Sequence, residues 1–226
     1  AREHLVINAA NVMPKPANIS WPQAAALPTT FITAYHMLKA RARLQAGETV
    51  LIHGARSGVG SAGVQLARVL GAKVIATVRR DADEAIARAL GADEVVRSDD
   101  RDWPKQVKAL SGGGVEVVFE HIGAATWDGS IRVLQRGGRL VTCGATAGHE
   151  VKLNLRKLFF HNIALLGSTM GTRADFLDVL RLAELDKIAP HVGHIAALSD
   201  GASALSLLED RSVFGKVVLD LTAQRG

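Results

Sequence analysis

Cysteine occurs once in 226 residues. A single thiol excludes a disulfide within the chain and any multi-cysteine zinc knuckle. Cys143 lies in the apolar run 139–144 and reads as a small buried strand residue. Aromatic residues make up only 4%, and the basic residues are dispersed rather than banked, so no nucleic-acid surface is expected. No apolar run reaches the roughly 18 residues that a membrane helix requires. The N-terminal residues show no signal-peptide pattern. A soluble, cytoplasmic protein is expected, with no membrane partner. A P-loop is missing too, because no Lys-Ser/Thr pair follows the glycines.

What is present is concentrated in residues 48–70. Val50-Leu51-Ile52 is short and apolar enough for a buried parallel strand; glycines follow at 54, 58, 60 and 63; Val64, Leu66, Ala67 and Leu70 then keep helical spacing. A strand that feeds a helix through such a turn aims the helix's free N–H groups, and the positive end of its dipole, past the strand end. An anion, most often a phosphate, binds there. Gly58-Val59-Gly60-Ser61-Ala62-Gly63 satisfies G-x-G-x-x-G, although Gly54-Ala55-Arg56-Ser57-Gly58 can equally form the cradle. The small positive excess, 27 Lys and Arg against 22 Asp and Glu, suits an anionic small molecule.

Around this stretch strands and helices alternate. Residues 2–8 read as a half-buried strand closed by Pro14 and Pro16. Ser20 and Pro22 open a short helix over 24–27, and a second helix runs over 30–43. Strands are expected at 50–52, 73–78, 94–96, 115–119, 139–143 and 163–166. Helices are expected at 81–90 with Asp81 as N-cap, 102–110, 126–134 and 172–185. This rhythm means an α/β fold: an open, doubly wound parallel sheet of about six strands with helices on both faces. Residues 190–199 read as loop with a central strand signal, 199–208 as helix and 215–220 as strand. Tyr35 and Lys39 spell the Y-x-x-x-K of short-chain dehydrogenases, but they precede the glycine turn instead of following it, so the match reads as coincidence.

The runs LPTTFITAYHML, ETVLIHGARSGVGSAGVQLARVLGAKVIATV, ALGADEVV, VEVVFEHIG, LQRGGRLVTCGA, LLGSTMGT and FGKVVL, in this order and spacing, resemble the medium-chain dehydrogenase/reductase superfamily. The branch that looks closest holds NADPH:quinone oxidoreductases and their zinc-type alcohol dehydrogenase relatives. The resemblance implies a catalytic lobe of which residues 1–20 are an edge, a dinucleotide-binding domain with its leading helices at 21–187, and a segment at 188–226 that returns to the lobe. It implies hydride transfer from a nicotinamide cofactor to a small-molecule acceptor, a quinone or activated alkene. It also implies a homodimer joined along the sixth strand. Zinc-dependent relatives carry a cysteine ligand before the glycine turn; the nearest match is Thr29, which has no thiolate, so zinc is not expected. His191-x-x-His194, the one close pair among eight histidines, reads as loop and no metal site is assigned. The alternatives are the cofactor domain of a zinc-dependent alcohol dehydrogenase, a non-catalytic nucleotide-binding module and, more distantly, a methyltransferase.

The second strand ends Thr77-Val78-Arg79-Arg80. An NAD site places an acid here for the ribose 2′-hydroxyl, whereas arginine accommodates the 2′-phosphate of NADP. Val78 stands where NAD-preferring relatives carry the acid, and Arg79, with Arg80 beside it, is suited to a charge-assisted pair with phosphate. NADP(H) is therefore expected. The competing reading leaves both arginines in solvent and takes the acid from Asp81 or Asp83; Asp81's assignment as a cap counts against it. By resemblance, cofactor contacts fall on Thr33 near the phosphates and on the corner residues Gly54, Ala55, Arg56, Ser57, Gly58, Val59 and Gly60. Others fall on His121 and Ile122 after the fourth strand, and on Cys143, Gly144, Ala145, Gly167, Ser168 and Thr169 beside the nicotinamide. No catalytic residue is assigned.

Overall fold

The computed structural model describes residues 4–221. Two helices lead, α1 (Trp21–Ala26) and α2 (Pro28–Tyr35). Ser20 caps α1 reciprocally: its hydroxyl accepts from the Gln23 amide while the Gln23 side chain accepts from the Ser20 amide. Pro28 opens α2, which widens into a π-helical turn over His36–Arg41 instead of continuing as a regular helix.

The alternation follows as β1 (Thr49–Ile52), α3 (Gly58–Val69), β2 (Lys73–Val78), α4 (Glu84–Ala89), β3 (Glu94–Arg97), α5 (Trp103–Leu110), β4 (Val115–Glu120), α6 (Ala124–Val133), β5 (Leu134–Thr142), α7 (Leu155–Phe160), β6 (Ala164–Gly167) and α8 (Arg173–Glu184). The six strands form one parallel sheet in the order β3-β2-β1-β4-β5-β6. Strand order reverses between β1 and β4, and that reversal opens a crevice at their C-terminal ends. The tail adds β7 (Val192–Ala197), α9 (Gly201–Glu209) and β8 (Lys216–Asp220); β7 and β8 pair in parallel as a separate two-stranded sheet.

Both faces of the large sheet are covered, which is why its central strands are nearly continuous runs of aliphatic residues. Along β1 the pleat sends Val50 and Ile52 to one face, with Phe31, Leu38, Leu66 and Val179, and Leu51 to the other, with Ile75, Trp103, Val107 and Ile131. Among the described residues no helix is long and apolar enough to cross a membrane.

Further elements depart from the sequence reading. Residues 4–8 form no strand: they are exposed and lead into a 3-10 turn over Ala9–Asn11, because no strand lies beside them to pair with. Residues 2 and 3 of that expected strand lie outside the described residues. β5 begins at Leu134, not 139, since Leu134 already pairs with Val115 and a register shift takes up the chain at Gly137, whose φ is +77°. Helix α7 was not expected at all; Asn154 caps it, accepting from the Lys157 amide at 3.2 Å.

Arg139 fastens β5 to the segment before β1. Its Nη1 and Nη2 donate to Glu48 Oε1 and Oε2 at 3.0 and 2.6 Å, and its Nε donates to the Ala42 carbonyl at 2.7 Å. Burial alone would raise the Glu48 carboxyl, but Arg139 and the Gln45 amide outweigh it and hold the group below its ordinary 4.5. A depressed folded-state pKa stabilises above the unfolded value, and that contribution is lost as pH falls through the depressed one. Arg139→Met is expected to cost about 1–2 kcal/mol. Thermal melts should also show less acid sensitivity below pH 4.5 than in the parent chain.

Candidate functional site

After Ile52 the chain turns at Gly54, whose φ of +59° favours glycine. The Gly54 carbonyl accepts from the Ser57 amide at 2.9 Å, and Ser57 Oγ then caps α3 by accepting from the Gly60 amide at 2.8 Å. A Cβ on Gly60 would lie 2.1 Å from the Gly54 carbonyl oxygen, and one on Gly63 would lie 3.3 Å from the Phe119 ring of β4. Bare backbone therefore lets α3 press against the turn at one point and against the sheet at the other. Residues 54–57 make the tight turn and Gly58 opens the helix. The amides of Gly58 and Val59 have no helical acceptor upstream, and the positive helix end faces the crevice between β1 and β4. Free amides at a helix N-terminus are suited to an anion.

The loops named from the sequence share one edge of the sheet. The His121 ring is buried beneath the corner, its Nε2 2.8 Å from the His53 carbonyl and 3.4 Å from Ser57 Oγ, and burial lowers its pKa. Its side chain thus braces the corner, while Ile122 stands at the more open part of that loop. The loop after β5 packs on it: the Ala147 amide donates to the Ile122 carbonyl at 2.7 Å, and a Cβ on Gly144 would meet the His121 carbonyl at 3.2 Å. Cys143 is half-buried and its thiol is pushed up to about 11 by burial, so it stays protonated. Ala145, Gly167 and Thr169 are exposed, and Ser168 Oγ is buried without a hydrogen-bond partner. Thr33, buried in α2, reaches Met170 in the loop after β6 at 3.9 Å. Tyr35, by contrast, bonds Asp178 of α8 at 3.0 Å and is pushed up to about 12, chiefly by burial. Lys39 is exposed, so the Y-x-x-x-K match is helix packing.

At the tip of β2 the structure corrects one assignment. Asp81 caps nothing: the 3-10 turn over Asp81–Asp83 has Arg80 before it and no side-chain cap, and Asp81 pairs with Arg97. Asp83 is 3% exposed and pairs with Arg56 of the glycine corner, leaving Arg56 Nε and Asp83 Oδ2 buried without hydrogen-bond partners. Arg80, Arg56 and Asp83 line an open cavity of about 390 Å³ together with His191 and Phe214. Arg79 is not part of that lining; it lies near Asp99, whose carboxyl is held low mainly by Arg97 and in smaller part by Arg79's charge.

Sequence reasoning missed two features. Lys216 of β8 lies over the start of α3, where a Cβ on Gly58 would meet its stem at 2.8 Å; next to it the Gly215 amide donates to the Arg56 carbonyl at 2.7 Å. The second is a fully buried polar network. Glu120 Oε1 accepts from the amides of Ile122 and Gly123 at 2.6 and 3.1 Å, and Oε2 accepts from Thr126 Oγ1 and Ser130 Oγ at 2.8 and 2.9 Å. Ser130 Oγ lies 2.9 Å from His53 Nε2, whose Nδ1 is 3.3 Å from Thr77 Oγ1, and Thr77 Oγ1 accepts from the Gly54 amide at 3.0 Å. Burial pushes His53 down to about 4, so it is neutral near pH 7. A signal existed: Glu120 is an acid ending an apolar strand, and His53 follows one directly. Among the described residues no group of three or more His, Cys, Asp or Glu is placed to hold a metal.

A doubly wound sheet with a bare glycine corner at its strand-order reversal defines a dinucleotide-binding domain of the Rossmann class. The chain belongs to the zinc-binding dehydrogenase family, whose profile matches residues 58–184, more than half its length; the medium-chain dehydrogenase/reductase resemblance holds. It is 30% identical to the crotonyl-CoA reductase of Streptomyces avermitilis, over 99% of this chain and 55% of that protein. Its fold superposes on a crystal structure of an NAD-dependent alcohol dehydrogenase with a TM-score of 0.93 at 41% identity, covering 96% of this chain and 64% of that one. It also superposes on the 2-octenoyl-CoA carboxylase reductase CinF, solved with NADP and 2-octenoyl-CoA, with a TM-score of 0.90 at 31% identity, covering 97% of this chain and 54% of that one. The chain thus spans between about half and two thirds of these proteins.

Proposed function

We propose that the chain is the NADP(H)-binding part of an oxidoreductase that reduces a quinone or an activated alkene. The observation that carries this reading is Gly60 pressed against the Gly54 carbonyl, which leaves the first amides of α3 open to a diphosphate at the sheet's reversal point. The crotonyl-CoA reductase and CinF similarities support an alkene acceptor. A bound nicotinamide would supply the hydride. The protein's part is to seat and shield it. The α3 amides and Lys216 would hold the diphosphate, Arg80 and Arg79 the 2′-phosphate, and the loops carrying Ile122, Gly144 and Ser168 the nicotinamide side. Residues at both ends, 4–20 and 188–221, are read as edges of a substrate lobe, supported by the separation of the β7–β8 sheet from the main one. Strand β6 lies at the sheet edge, and an edge strand needs a partner or a cover; pairing with β6 of a second copy would supply one.

The buried Asp83 beside Arg56 favours a second reading, in which an acid receives the ribose hydroxyls of NAD in an alcohol dehydrogenase. Titrating the chain with NADPH and NADH, then following absorbance at 340 nm with an enone or quinone added, separates the possibilities. Tighter NADPH binding with steady oxidation supports the main reading. Tighter NADH binding supports the second. Binding of either without oxidation supports a nucleotide-binding module.

A further inference from the structure

We propose that Glu120 is a positioning residue for the nicotinamide half of the dinucleotide, because it holds the two loops that flank that half and leaves the diphosphate corner to its own backbone. The proposal rests on the dinucleotide reading of the site. A carboxylate at 0% exposure, in the middle of a parallel sheet, persists only when its oxygens are satisfied. Glu120 has four donors, and two are consecutive backbone amides, Ile122 and Gly123, at the point where the chain leaves β4. Gly123 has a φ of +92°, so those amides converge on the carboxylate through a loop shape that needs glycine. The carbonyls of the same loop then accept from the next one, His121 from Thr146 at 3.4 Å and Ile122 from Ala147 at 2.7 Å. One side chain therefore sets the loops after β4 and β5 together.

The corner differs. Its turn and cap close through Gly54, Ser57 and Gly60, with no bond to Glu120. The oxygens of Glu120 reach it through Ser130, His53 and Thr77, with Oε2 3.7 Å from His53 Nε2; the other link, His121 Nε2 to Ser57 Oγ at 3.4 Å, uses no Glu120 oxygen. Filling the space with leucine would preserve volume but strand two amides and two hydroxyls. Glutamine keeps one oxygen for the amides, while its NH₂ faces hydroxyls free to rotate and accept.

Three full-length variants of the chain test this: Glu120→Leu, Glu120→Asp and Glu120→Gln. The probes are the intact dinucleotide that binds more tightly, NADPH or NADH, and its adenosine half, adenosine 2′,5′-bisphosphate or ADP. With four charge-assisted bonds lost, two of them to the loop amides, Glu120→Leu should bind the intact dinucleotide about tenfold or more weakly while holding the adenosine half within about twofold. Glu120→Asp retains the charge but draws it back, and should show a smaller split in the same direction; it decides the matter if the leucine variant does not fold. Glu120→Gln should restore both affinities. Equal weakening of both probes, or of neither, overturns the proposal. A parent chain that binds no dinucleotide overturns the reading beneath it as well.

Discussion

Gly60→Val is expected to abolish dinucleotide binding while the sheet still forms. The corner and α3 meet with no side chain between them: a single added carbon would come within 2.1 Å of the Gly54 carbonyl oxygen and 3.0 Å of Ser57 Oγ. Neither neighbour is the loose end of a flexible side chain, so the helix itself must move. Overpacking of this kind costs about 1–3 kcal/mol in a well-filled interior. The larger loss is functional, because moving α3 breaks the Ser57 cap and turns its first amides away from the anion. Dissociation constants should rise by at least about a hundredfold, equivalent to roughly 2.7 kcal/mol. Gly201→Ala is the control, since its added carbon would meet only Leu219, at 3.7 Å. Titration by fluorescence and a thermal melt of each variant read both effects. Undiminished binding by Gly60→Val would show that no diphosphate sits at this corner.

Selection between NADPH and NADH should change sharply at the tip of β2. Arg80 lines the cavity beside Arg56, and Arg79 stands outside it. Arg80→Ala is therefore expected to weaken NADPH by about tenfold or more, the effect of one hydrogen-bonded charge pair, and NADH by less than about twofold. Arg79→Ala should act in the same direction but less strongly. Asp83 supplies the opposing test. Under the NADP reading Asp83→Asn relieves repulsion of the 2′-phosphate and NADPH binds more tightly; under the NAD reading it removes an acceptor for the ribose hydroxyls and NADH binds more weakly. Silent arginine variants together with a weakened Asp83→Asn would transfer the preference to NAD.

The parallel sheet was legible because each strand is a short apolar run and the glycines mark where the first one ends. The corner was legible for the same reason, apart from which glycine does what; that depends on the Gly54 carbonyl approaching Gly60, a contact no spacing rule contains. What stayed hidden depends on partners far away in sequence. Asp83 looks like one acid among several until Arg56 is placed against it. Glu120 and His53 drew no assignment from the sequence, because only the packing of β1, β2, β4 and α6 brings Thr77 and Ser130 to them. The expected strand near the N-terminus failed for the complementary reason. Its alternation was real, but residues 4–8 have no neighbouring strand to hold them.

Lys216 and Gly215 finish a cradle whose first piece, Gly54, leaves the ribosome long before them. A nascent chain lacks the lysine over α3 and the amide that clasps Arg56 until β8 emerges. Under the proposed reading, a cofactor held at that corner would stabilise molecules in which β8 has docked.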